Sequence, residues 1–304
     1  MKKLRLTAIL LFVPFMIQAQ NSPELVADGA KVEKLAEGFG FTEGPTADSK
    51  GNVYFTDQPN DKIWKWSIDG KLSVALDKTG RANGLYFDRN GRLLACSDEN
   101  NELWSIDLTG KQHETLINEV EGKQLNGPND LWVHPNGGVY FTDPLYRRQY
   151  WTNRNAAKQM DGRYVYFLSP DRKKIEKVAI DLKQPNGIIG TPDGKHLYVA
   201  DIDDNKTYIY DIEKDGSLKN KKLFAPLGSD GMTIDKKGNI YLTGKGVTVF
   251  NTSGKQILHI DVEANWTANV CFGGKNMQTL FITASQYLYA LKMNVKGVRP
   301  HNPK

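Results

Sequence analysis

NDLWVHPNGGVYFTD, residues 129–143, reads as a short hydrophobic strand, a turn rich in Asn and Gly, and a second, alternating strand. The same pattern recurs as EGPTADSKGNVYFTD from Glu43, NGLYFDRNGRLLACSD from Asn83, NGIIGTPDGKHLYVAD from Asn186 and DGMTIDKKGNIYLTG from Asp230. In each copy the turn glycine stands eight residues after the first residue, at 51, 91, 137, 194 and 238. A sixth, degenerate copy, NVCFGGKNMQTLFITAS, starts at Asn269. A further strand pair follows each hairpin, as in IWKWSIDG or TYIYDIEKDG. About four strands per unit of roughly 40 to 45 residues is the arithmetic of a propeller blade, so the chain reads as an all-β, six-bladed β-propeller.

Blade boundaries are expected near residues 36, 77, 118, 172, 217 and 261, with residues 21–32 available to complete the ring. No linker-like stretch divides residues 20–304, which read as one domain. The start, MKKLRLTAILLFVPFMIQAQ, reads as a signal peptide over residues 1–19: a basic opening, an apolar run too short to span a bilayer, and Ala19 before the cut. The expected location is therefore periplasmic or secreted, with no membrane contact after cleavage. With 39% hydrophobic and 25% charged residues, disordered and collagen-like classes are excluded. The net charge of +5 falls to +2 once Lys2, Lys3 and Arg5 are removed, too little to argue for nucleic acid. Cys96 and Cys271 lie in apolar strand-like runs; an oxidising compartment allows a disulfide, but two buried thiols suit the pattern better.

Radial repetition puts residues at one repeat position at the same height around the axis. The first residues of the six copies are Glu43, Asn83, Asn129, Asn186, Asp230 and Asn269. Two carboxylates and four amides, without His or Cys, suit a hard divalent cation: Ca²⁺ first, then Mg²⁺ or Mn²⁺, with Zn²⁺ a lesser choice. The competing reading makes each a turn-capping residue, which fits Asn and Asp but not Glu43. His113, His134, His196, His259 and His301 fall outside this register, and no Gly-x-Ser-x-Gly elbow occurs.

FTEGP (41–45), LNGPNDLWV (125–133), YFTDPLY (140–146), QPNGI (184–188), LYVAD (197–201), SDGM (229–232) and LFITAS (280–285) occur in this order. By these motifs the chain resembles the family of regucalcin, gluconolactonase and related lactonases, from about residue 33 to residue 292. The resemblance implies one divalent cation in the channel mouth, held by Glu43, Asn186 and Asp230, with Asn129 a direct or water-mediated fourth ligand. It implies hydrolysis of a small-molecule sugar lactone. One departure stands out: animal members place a sugar-holding Arg where this chain has Gly127.

A lactone hydrolase must polarise an ester carbonyl and activate water. Asp230 is the candidate general base, with a role as ligand alone the alternative. Pro144–Tyr164 is an insertion after the third hairpin whose Tyr146, Arg147 and Arg148 suit a sugar and an acid group. The alternative is a loop packed on its own blade. Asn126, Asn83 and Asn269 complete the expected substrate contacts. A monomer is expected. Organophosphate triester hydrolysis on the same site, and a propeller that binds without chemistry, stay open as alternatives.

Overall fold

Each hairpin forms the first half of a four-stranded antiparallel sheet, and six such sheets stand in a ring. The computed structural model describes residues 24–151 and 160–300. The expected signal peptide, His301 and part of the insertion lie outside the described residues. The chain enters with β1 (Glu33–Glu37). Blade one is β2 (Thr42–Ala47), β3 (Val53–Asp57), β4 (Lys62–Trp66) and β5 (Leu72–Asp77). Blade two is β6 (Ala82–Phe87), β7 (Leu93–Ser97), β8 (Glu102–Asp107) and β9 (Gln112–Ile117). A small hairpin, β10 (Glu119–Val120) and β11 (Lys123–Gln124), leads to blade three: β12 (Leu131–Val133), β13 (Val139–Asp143), β14 (Tyr164–Leu168) and β15 (Ile175–Ala179). Blade four is β16 (Pro185–Gly190), β17 (His196–Asp201), β18 (Lys206–Ile212) and β19 (Leu218–Ala225). Blade five is β20 (Met232–Ile234), β21 (Ile240–Gly244), β22 (Gly246–Phe250) and β23 (Gln256–Ile260). Blade six is β24 (Thr267–Gly273), β25 (Thr279–Ala284) and β26 (Tyr287–Lys292), completed on its outer side by β1.

The first strand of each blade lines the axis, and these strands neighbour one another around the ring. Blades stack face to face, so their inner strands are covered on both sides and read as near-continuous apolar runs. VYFTD in β3 and in β13 is wholly buried, whereas the outer strands β5 and β9 are mostly exposed. Tyr140 shows how blades are tied: its ring packs 4.6 Å from Phe167 within blade three, and its hydroxyl donates to the Gly216 carbonyl of blade four at 2.8 Å. Cys96 and Cys271 are buried and unbridged, as small apolar residues.

The turn chemistry explains the register. Asp48 Oδ1 accepts the N–H groups of Lys50 and Asn52 at 2.9 Å, and Asp235 Oδ1 does the same for Lys237 and Asn239. The turn glycines 51, 91, 137, 194, 238 and 274 all take φ between 72° and 99°, which a side chain would resist.

Two expected boundaries move. Residues 172 and 217 lie at turns inside blades three and four, before the outer strands β15 and β19. Those turns carry the same Asp-to-backbone bonds, at Asp171 and Asp215, as the hairpin turns at Asp48 and Asp235. The closing strand is β1, just beyond the expected 21–32. It pairs Glu33 with Ala290 and Glu37 with Tyr287, preceded by a bridge between Val26 and Met293.

After β26 the tail crosses the turn end of the axis. Gly297 bridges Asp235, Val298 N–H donates to the Ile234 carbonyl at 3.4 Å, and Arg299 donates to the carbonyls of Ser49 and Lys275. Val298, Arg299 and Pro300 thereby line one end of an axial cavity of about 140 Å³, whose walls include Leu85, Ile188 and Met232. No helix among the described residues is long and apolar enough to cross a membrane.

Candidate metal and substrate site

The loop that enters each inner strand is pinned by the blade's own second strand. Asp57, at the end of β3, accepts the N–H groups of Gly40 and Phe41 at 2.9 and 3.3 Å. Asp143, at the end of β13, accepts those of Asn126 and Gly127, both at 2.9 Å. Asp201, at the end of β17, accepts those of Lys183 and Gln184 at 2.7 and 2.9 Å. The carboxylates that end VYFTD and LYVAD are therefore architectural: they fix the entry to Glu43, Asn129 and Asn186. Gly127 has φ of 135°, a conformation that disfavours any side chain.

The ring residues stand at the opposite end of the axis from the tail. Glu43, Asn83, Asn129 and Asn186 are buried, with 2%, 1%, 3% and 0% exposure, and Asp230 is half-buried. Asp230 Oδ1 accepts from Asn186 Nδ2 at 2.8 Å and Oδ2 from Trp266 Nε1 at 2.6 Å. Asn186 Nδ2 also donates to the Tyr146 hydroxyl at 2.7 Å. Glu43 Oε2 accepts the Gly44 N–H at 2.8 Å. Asn269 turns below the ring: Oδ1 accepts the Val270 N–H at 2.8 Å, and Nδ2 faces Asp130 Oδ2 at 3.4 Å.

Burial pushes the Glu43 carboxyl well above its usual range, and the charge of Asp230 raises it further. Burial raises Asp230 too, opposed by its Trp266 hydrogen bond and by Arg148. Two neighbouring carboxylates that resist ionising together have an unmet need for positive charge. The amides show the complementary need: Asn186 Oδ1 and both polar side-chain atoms of Asn83 are buried without a hydrogen-bond partner. An unmet buried polar atom costs about 1–3 kcal/mol, which a bound group would recover. Among the described residues no group of three or more His, Cys, Asp or Glu is placed for a metal. The donors are instead carboxylate and amide oxygens, and such a set fits a hard divalent cation better than zinc.

The wall above the ring comes from the insertion and from blades one and two. The Arg148 guanidinium lies over the Tyr146 ring at 4.8 Å. Tyr150 donates to Gln58 Oε1 at 2.8 Å, and Gln58 donates to Asp98 at 2.8 Å. Arg81 stacks on Tyr150 at 5.0 Å while pairing with Glu99 at 3.0 Å. Three expected substrate contacts are placed elsewhere: Asn269, as described, turns to Val270 and Asp130. Arg147 is exposed, and Asn126 is buried with Nδ2 donating to the carbonyls of Asp143 and Gly162, so it anchors the loop's base.

The four described histidines keep away from the ring. His113 stacks on Trp104 at 3.6 Å, His134 bonds the Gly194 carbonyl at 3.0 Å, and His196 faces Asp211 at 2.9 Å. His259 bonds Thr248 at 2.9 Å.

Sequence reasoning missed Asp130, Trp266, Gln58 and Arg81. Asp130 carried a signal: the residue after the ring residue is Gly in four copies, Asp here and Val in the sixth. Inner strands approach too closely for more; a Cβ at Gly84 would lie 2.6 Å from the Asn129 carbonyl oxygen, and one at Gly231 would lie 1.9 Å from the Asn269 side chain. Asp130 is buried with its pKa pushed up to about 7, chiefly by desolvation. Trp266 and Gln58 lie outside the repeat register, so no spacing announced them.

The chain is similar to proteins of known activity. A gluconolactonase of Zymomonas mobilis is 28% identical over 297 residues, spanning 88% of this chain and 82% of that protein. A solved gluconolactonase from Xanthomonas campestris superposes with a TM-score of 0.83 at 28% identity, over 89% of this chain and 92% of that one. The diisopropyl-fluorophosphatase of Loligo vulgaris is 25% identical over 73% of this chain and 79% of its own length. The model of the SMP-30/gluconolactonase/LRE-like region matches residues 41–286, and the chain belongs to that family.

Proposed function

We propose that this protein is a metal-dependent hydrolase that opens sugar lactones. The observation that carries the reading is the neighbouring pair of buried Glu43 and half-buried Asp230, set among the amides of Asn129 and Asn186 with the Asn186 side-chain Oδ1 unpartnered. Similarity to gluconolactonases supplies the substrate class. Glu43, Asn129, Asn186 and Asp230 would hold the cation, Ca²⁺ first, whose Lewis acidity polarises the ester carbonyl and offsets oxyanion charge.

The chain's own groups do the rest. Asn186 and Trp266 fix both Asp230 oxygens, so the carboxylate is aimed before substrate arrives. Asp230 takes a proton from the attacking water as its oxygen bonds to the carbonyl carbon. When the ring C–O bond breaks, that proton passes to the departing alkoxide, leaving a hydroxy acid. The unpartnered amide of Asn83 is placed to bond the sugar, and Tyr146 forms a wall. Asn269 holds Asp130 from behind the ring. We also place the protein outside the cytoplasm, as a monomer; a mature N-terminus at Gln20 checks the first point.

Similarity to a fluorophosphatase supports a second reading, phosphotriester hydrolysis on the same residues. A panel of sugar lactones, acyl lactones and phosphotriesters, assayed with and without chelator, tests both. Fastest turnover is expected on sugar lactones, abolished by chelator and restored by Ca²⁺, Mg²⁺ or Mn²⁺. Faster phosphotriester turnover would transfer the assignment, and chelator-resistant lactone turnover would overturn the metal role.

A further inference from the structure

Among the described residues, no carboxylate is paired with Arg148. Its guanidinium is half-buried over Tyr146, and its Nε is buried with no hydrogen-bond partner. It stands close enough to the ring for its charge to act on both Glu43 and Asp230. Neither carboxylate is bonded to it: Asp230 accepts from Asn186 and Trp266, and Glu43 accepts from Gly44. Asp130 is taken up by the Leu131 N–H and Asn269. Among the described residues, the other arginines nearby are differently placed. Arg81 is paired with Glu99 and donates to the carbonyls of Gln58 and Pro59, while Arg147 is exposed.

A divalent cation would neutralise Glu43 and Asp230, leaving Arg148 as one positive charge above a neutral ring. A buried donor on a cation is costly to leave unmet, and guanidinium is shaped for two-pronged contact with a carboxylate. Resting on the lactonase reading, we propose that the substrate is a sugar-acid lactone bearing a free carboxylate besides its ester, and that Arg148 binds that carboxylate. The class is an aldarate or uronate lactone rather than a neutral aldonolactone.

Three substrates on one scaffold test this: an aldarolactone, its methyl ester, and the aldonolactone with CH₂OH in place of the carboxylate. Wild-type kcat/KM is expected to favour the free acid over both neutral forms by at least about tenfold. Arg148→Gln should collapse that ratio by about 10- to 100-fold, mostly through KM, and Arg148→Lys should keep part of it. Calorimetry with the open-chain diacid, against the corresponding neutral polyol, reads binding without turnover. Diacid binding lost in Arg148→Gln, with no lactone opened by the wild type, would support the anion site and sink the hydrolase reading. Lactones opened without preference for the free acid, or a ratio unchanged in Arg148→Gln, would overturn the anion site alone.

Discussion

Asp130 occupies a position where four other blades carry glycine, and it tolerates that place only because its side chain turns to Leu131 N–H and Asn269. Its carboxyl is raised from 3.8 to about 7 by burial, so the folded state holds a proton that the unfolded chain releases. The stability from that proton is full below 3.8 and is lost as pH rises to about 7. In chelator-treated protein, Asp130→Asn should therefore flatten the fall in melting temperature between pH 5 and 7. Parallel thermal melts of the two proteins check this, and identical slopes would contradict it. Glu43 is raised in the same sense, so binding a cation must expel its proton and should tighten with pH. Glu43→Gln and Asp230→Asn should each cut lactone turnover by at least about a hundredfold in a folded propeller. His113→Ala should leave turnover near wild type, since that ring only stacks on Trp104.

At the scale of elements, the hairpins were legible because their turns obey local chemistry that any sequence window displays. Turn glycine and turn Asp recur together, and the structure puts every one of those glycines at positive φ. The same chemistry misled the reading at residues 172 and 217, where a turn within a blade looks like a turn between blades. The ring position was legible from spacing alone. Side chains that arrive from outside the register were not: Trp266 reaches Asp230 across 36 positions of sequence, and Tyr150 reaches Gln58 across 92. The tail is another such element. Its backbone ties to Lys236, Met277 and Ile234 hold it across the axis, and nothing in its composition says so. Removing residues 297–304 should expose the axial cavity with its Leu85, Ile188 and Met232 walls, lower the melting temperature by a few degrees and raise binding of a hydrophobic dye. An unchanged melt would mean that the tail closes nothing of consequence.

The whole molecule joins six blades through one shared centre. Glu43 from blade one, Asn129 from three, Asn186 from four and Asp230 from five contribute to the same site, so a cation bound there would link blades distant in sequence. Binding only to the native ring, it would stabilise by mass action, about 2.7 kcal/mol at a hundred times its dissociation constant. Chelation should accordingly lower the melting temperature, and Ca²⁺ added in excess should restore it; calorimetry reads both. The absence of any shift with Ca²⁺, Mg²⁺, Mn²⁺ or Zn²⁺ would argue that the ring holds no ion.

The closure of blade six by β1 also sets how the molecule answers a mechanical load. Glu33 faces Ala290 and Glu37 faces Tyr287, with Val26 beside Met293, so the incoming and outgoing chain leave the ladder at the same end. Tension between the two ends therefore falls on one pair of residues at a time, as in a zipper, rather than on all of them in shear. After the tail peels from Ile234, the seam parts beside β26 at low force. A tethered molecule would thus open first within blade six, as β1 leaves β26, while the other blades still stand.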